Sequence, residues 1–154
     1  MNKALLLTAI AVGALLGPSG AGSAERSDAQ TAGGLTVYLG VLPAAMVQGH
    51  DTGSASALHG GTPTGSHAYH VVAAVFDAAT GARIEDASVS ARVTPRGLRG
   101  ETRPLEPMTI AGTVTYGAYF TMAGTDPYRI EIAILPVGAA RPVELEFRYW
   151  HGAR

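Results

Sequence analysis

The chain contains no cysteine. Disulfides are therefore unavailable as a source of stability, and thiolate is unavailable as nucleophile or metal ligand. Lysine is almost as scarce: Lys3 stands alone against ten arginines. Charged residues make up only 15% of the sequence and the formal net charge is -1. No polybasic patch exists, which makes nucleic acid a poor partner. Past the N-terminal segment, no stretch repeats apolar residues at helical spacing. There is no Gly-x-Ser-x-Gly elbow, no acid–base pair fixed by spacing, and no Gly-rich turn between a strand and a helix. An enzyme reading has nothing to stand on, and the chain reads as non-catalytic.

What is present begins with an export signal. Lys3 precedes an almost unbroken apolar run from Ala4 to Leu16. Pro18, Ser19 and Gly20 break the run, and Gly22, Ser23 and Ala24 supply the small residues of a cleavage site. The run is shorter than the roughly 20 residues that span a bilayer, and no cysteine follows it to carry a lipid. The reading is a cleaved signal peptide over 1–24, a periplasmic location and no stable membrane anchor; an uncleaved amphipathic tail is the alternative. Residues 25–33 are polar and small and read as a flexible leader.

From Gly34 the pattern is β. Leu35 to Leu42 reads as a strand ended by Pro43. His67 to Phe76 is strongly apolar, and Asp77 to Gly81 reads as a turn. Ala87 to Val93, Thr113 to Met122, Tyr128 to Ile134 and Val143 to Tyr149 alternate with the period of two that half-buried strands require. Pro104 to Met108, with Pro107 inside it, reads as irregular. The expected fold is all-β: a single immunoglobulin-like β-sandwich of about seven strands over 34–151, with a jelly roll as the alternative.

Between the first two strands, residues 48–66 form a stretch rich in Gly, Ser and Thr that carries His50 and His59, with His67 just past its end and His70 following in the strand. Long structureless excursions in compact domains are commonly functional or disordered. Imidazole is the commonest protein ligand for soft and borderline metals, and clustered histidines in a His-poor chain point to metal binding, copper first and zinc second. The candidate ligands are His50, His59, His67, His70, Met108 and His151. Met108 enters because Pro104 and Pro107 restrict its surroundings and Glu106 adds a carboxylate; a buried gap-filler is the competing role. His67 and His70 are three apart, which on a regular strand sends them to opposite faces. His70 facing the core, and His50 and His59 on a solvated surface loop, are the bland alternatives. His151 follows the inward-facing Tyr149 by two residues and points to the inner side of a strand end.

The segment His70-Val-Val-Ala-Ala-Val-Phe-Asp-Ala-Ala-Thr-Gly-Ala-Arg-Ile-Glu-Asp-Ala-Ser-Val resembles the opening strand pair of the YtkA-like family and related periplasmic copper-associated sandwiches. Tyr116-Gly-Ala-Tyr-Phe-Thr-Met-Ala-Gly-Thr-Asp-Pro-Tyr-Arg-Ile resembles the closing hairpin of that family. The resemblance covers residues 67–150 and implies an Ig-like module associated with copper delivery or tolerance. It departs from the dedicated copper-resistance proteins in having no Met-rich motif. The expected activity is that of a metal chaperone or scavenger with the metal ion as partner, together with a periplasmic or inner-membrane transport protein. The rival reading is a structural or protein-recognition sandwich accessory to a membrane transporter.

Overall fold

The alternation read along the chain becomes strands wherever one face can be buried. The computed structural model describes residues 28–47, 63–110 and 112–152. They form β1 (Ala29–Ala32), β2 (Leu35–Pro43), a single helical turn α1 (Ala44–Val47), β3 (Ala68–Asp77), β4 (Ala87–Thr94), β5 (Glu101–Ile110), β6 (Thr113–Thr121), β7 (Tyr128–Pro136) and β8 (Val143–Tyr149). The strands follow one another in a continuous hydrogen-bonded order, β1-β2-β3-β6-β5-β4-β7-β8, and every pair is antiparallel.

The order curls back on itself. The side-chain amide of Gln30 in β1 donates to the backbone oxygen of Glu146 in β8 at 2.6 Å. Gly33, at φ 54° in the β1–β2 turn, lies so close to Val143 that a Cβ there would come within 2.6 Å of a Val143 methyl. The inside of this nearly closed barrel is the core. Val37, Val71, Ala73, Val75, Ile130, Ile132 and Ile134 are fully buried there, packed with Tyr116, Phe120, Met122, Tyr128, Leu145 and Phe147. Each such branched or aromatic side chain contributes roughly 1.5–3 kcal/mol by leaving water. That burial is the stabilising term available to a chain without disulfides.

Three expectations change. The strands number eight rather than about seven, and β5, shared between the two groups of strands, joins them into one unbroken order. Four residues of the expected flexible leader are β1, held against β2 through pairs such as Gln30 with Val37. The segment around Pro104 and Pro107 is not irregular but lies within β5. Proline is excluded from a strand only where its missing N–H is needed. β5 escapes that limit because each half uses one edge: Glu101 to Leu105 pair with β4, and Glu106 to Ile110 pair with β6. β5 is thus the hand-over strand between the two halves of the barrel.

The β3–β4 connection is anchored to the core by one phenol. Tyr116 in β6 accepts from the Ala87 amide at 3.0 Å and donates to the Ile84 carbonyl at 3.2 Å. Burial pushes the Tyr116 phenol above its ordinary value, against the lowering effect of the Ala87 amide, and the charges of Asp86 and Glu85 add to the rise. Burial does the same to Tyr128 and Tyr149. All three stay neutral in the folded chain where the unfolded chain would ionise. Their contribution is complete below about pH 10, the unfolded value, and is lost as pH rises through the folded values. The melting temperature should therefore fall steeply above about pH 10. Thermal unfolding followed by circular dichroism across alkaline pH checks this, and Tyr116→Phe should flatten part of the slope.

Candidate functional site

Not every buried side chain belongs to the barrel interior. His70, Met108, Tyr119 and Thr115 are buried, yet they stand outside the core cluster, on the opposite surface of β3, β5 and β6. The register explains how they meet. His70 lies directly across from Tyr119, and Val72 lies across from Gly117. On the other side of β6, Glu106 faces Gly117 and Met108 faces Thr115. Paired residues share a face, so His70, Tyr119, Gly117, Thr115, Glu106 and Met108 all look outward together. Only the second half of β5 pairs with β6, so Met108 reaches this face because the strand changes partner after Leu105.

Gly117 is the floor of the group. A Cβ built on it would collide with the Met108 methyl, would come within 2.8 Å of His70 Nε2 and would lie 3.2 Å from a Val72 methyl. The imidazole nitrogen and the thioether arm thus converge from opposite diagonals into the space a side chain would fill. The His70 ring is held in plane by stacking on Tyr119, with centroids 4.5 Å apart and 27° between the planes. His70 and Met108 are each only 2% exposed. α1 packs against the neighbouring strands β2 and β3. The donor set is one imidazole nitrogen and one thioether, with the Glu106 carboxylate at the adjoining register position. Imidazole with thioether suits Cu(I), and carboxylate extends the set toward Cu(II) or zinc.

The six expected ligands separate into distinct places. His70 and Met108 come together. His67 is exposed in the turn that leads into β3, where its carbonyl accepts from the Met122 amide at 2.8 Å. His50 and His59 lie outside the described residues. His151 is on the other side of the wall: its ring sits 5.0 Å from Tyr69, 5.1 Å from Tyr128 and 5.4 Å from Tyr149, centroid to centroid. Tyr69 packs toward the core while the next residue, His70, faces out. The structure therefore does not bring His151 to His70. Instead His151 closes the end of the barrel. Its Nδ1 is 2.9 Å from Asp126 Oδ1, and its backbone amide donates to Asp126 Oδ2 at 3.1 Å. Met122 is a core residue. Among the described residues, no group of three or more His, Asp or Glu side chains is arranged to hold a metal.

Gly117 and Tyr119 were not among the expected site residues. Tyr119 reads as ordinary packing in the sequence. Gly117 carried a usable signal, because a glycine inside an apolar strand marks a close approach by something else. Met108 sits in a paired strand, not in a stiff turn.

No protein-family model matches this chain, and no curated protein matches it in sequence. Solved structures do share its fold. One is a copper-bound Glu-to-Gln variant of FetP from uropathogenic Escherichia coli, with a TM-score of 0.60 and 14% identity, covering 80% of this chain and 93% of that one. A DUF4426 family protein from Pseudomonas aeruginosa aligns with a TM-score of 0.58 and 15% identity over 79% of this chain and 93% of its own. A copper-bound Glu-to-Gln variant of the P19 protein of Campylobacter jejuni aligns with a TM-score of 0.54 and 14% identity, covering 80% and 94%. At these identities the likeness is one of fold, and the resemblance to copper-associated β proteins seen over residues 67–150 holds at that level.

The Gly117 floor yields a direct test. Gly117→Ala places a methyl where the Met108 arm and the His70 ring meet, and overpacking of this kind costs about 1–3 kcal/mol. Denaturant unfolding should show that loss, and the paired change Gly117→Ala with Met108→Ala should recover part of it.

Proposed function

We propose that this is a periplasmic copper-binding protein that captures the ion and hands it on, rather than turning over a substrate. The observation that carries the reading is the convergence of His70 Nε2 and the Met108 side chain over Gly117. The methyl end of the Met108 thioether arm and a ring nitrogen of His70 meet over Gly117, and imidazole with thioether is the pair that copper accepts in its reduced state. Copper-bound proteins of the same fold support the choice of metal. The apolar N-terminal run and its small-residue cleavage site support export. Among the described residues no helix is long and apolar enough to cross a membrane.

In this reading His70 supplies the nitrogen, kept in orientation by the Tyr119 ring, and Met108 supplies the sulfur. Glu106 supplies an anionic oxygen beside them. His50 and His59 follow α1 in the chain and supply the further donors that two fixed ligands need to complete a coordination shell. The strands keep His70 and Met108 in place before the ion arrives, so little ordering cost falls on those two. The recipient is a periplasmic or inner-membrane transport protein.

Copper held only by the folded state must raise the melting temperature. At a free concentration of about 100 times Kd the gain is about 2.7 kcal/mol. Cu(I) and Cu(II) are each titrated into metal-free protein, with Tm and, for Cu(II), electron paramagnetic resonance as readouts. Met108→Leu keeps the volume and should weaken Cu(I) while leaving zinc unchanged. His70→Ala should weaken both. An unaltered copper-induced Tm shift in both variants would remove His70 and Met108 from the site.

A further inference from the structure

A second feature lies on the outer surface of the opposite half of the barrel. In the register of β7 and β8, Arg129 lies directly across from Arg148. Like charges in that position repel and lower the stability of the pair. Arg96, from the loop after β4, joins them along the wall of an open cleft of about 610 Å³. The cleft holds three guanidinium groups against one carboxylate, that of Glu146. Arg129 shares Glu131 at 3.6 Å. Among the described residues, Arg96 and Arg148 form no ion pair. The wall also carries apolar surface from Pro95, Pro127 and Leu98, the last 63% exposed.

We propose that this cleft binds an acidic peptide segment of a partner protein, with its carboxylates on Arg96, Arg129 and Arg148 and an apolar side chain against Leu98 and Pro95. Three observations favour a peptide. The cations are all arginine, whose planar fork takes a carboxylate through two parallel hydrogen bonds. The cleft is open and spans the paired positions Thr94, Arg129 and Arg148 across β4, β7 and β8, and its walls are both charged and apolar, which suits a chain of alternating character. The face also changes sign along its length. Beyond the arginines, Glu131, Glu144 and Glu146 border a neighbouring cavity of about 350 Å³ together with Arg92. A bound segment with acid at one end only would be fixed in direction by that reversal. The interaction is independent of the His70–Met108 group, which lies on the other half of the barrel.

The test uses the full chain as exported and a fluorescein-labelled peptide of alternating Glu and Leu, with the Gln–Leu peptide as control. Fluorescence anisotropy should show binding of the acidic peptide that weakens as salt is raised. The double variant Arg96→Ala/Arg148→Ala should lower affinity about tenfold or more. The variant Glu144→Gln should leave it intact or strengthen it. All three substituted positions are exposed, and unchanged far-ultraviolet circular dichroism confirms that the variants are folded. No binding of the acidic peptide, equal binding of the Gln–Leu peptide, or full affinity in the double variant would overturn the proposal. So would displacement by inorganic phosphate at equal charge, preferential binding to anionic lipid vesicles, or self-association of the chain through this face in sedimentation.

Discussion

One strand holds the molecule together as a single object. β5 gives its first half to β4 and its second half to β6. Without that change of partner, β1, β2, β3 and β6 would form one open sheet and β4, β7 and β8 another, each with one additional exposed edge. With it, the strands run in one unbroken order and their apolar faces enclose a common interior. The two prolines that make β5 look unlike a strand are tolerated because each half needs hydrogen bonds along only one edge. The same hand-over carries Leu105 into the core and, three residues later, turns Met108 out beside Gly117. Stability and the candidate site thus depend on one crossing.

The candidate site shows how a β barrel can bury polar chemistry without placing it in its core. His70 and Tyr69 are neighbours in sequence and look to opposite sides. Tyr69 joins the interior end that His151 closes with Asp126. His70 joins an outer group whose depth comes from a glycine below it and a stacked ring beside it. An imidazole held inside a hydrocarbon core would lack access to an arriving ion. An imidazole on an open surface would lack a fixed direction. Between these, the Gly117 floor gives a nitrogen and a thioether one shared volume.

The sequence made legible those parts of the fold where period-two alternation is uninterrupted. β3, β4, β6, β7 and β8 fall where the pattern puts them, as do the inward faces Tyr128/Ile130/Ile132/Ile134 and Val143/Leu145/Phe147/Tyr149. β1 was hidden because Ala29, Gln30, Thr31 and Ala32 carry no apolar alternation; its position comes from pairing with β2. β5 was hidden because proline argues against a strand unless one knows which edge is in use. For the site, residue type pointed to His70 and Met108, but their meeting depends on register, which a sequence does not print. His67 lies in the turn before β3 begins, where strand parity does not apply. Parity pointed His151 inward, and its ring packs among Tyr69, Tyr128 and Tyr149. It could not reveal that His151 belongs to a different face from His70, since that requires knowing which side of β3 each neighbour covers.

The two charged or coordinating features divide the barrel's surface between them. The outer face of β3, β5 and β6 carries the buried His70 and Met108 side chains, which meet over Gly117. The outer face of β4, β7 and β8 presents guanidinium groups in an open cleft. Under the proposed function the first would select by ligand softness and shape, act over a few ångströms and be little affected by salt. The second, as proposed, would select by charge, act from farther out and be screened within about 10 Å at 0.1 M salt. The proposed copper carrier would need both kinds of discrimination on separate surfaces, because guanidinium groups beside His70 and Met108 would repel an arriving cation. The continuous strand order supplies that separation, because the core lies between the two faces.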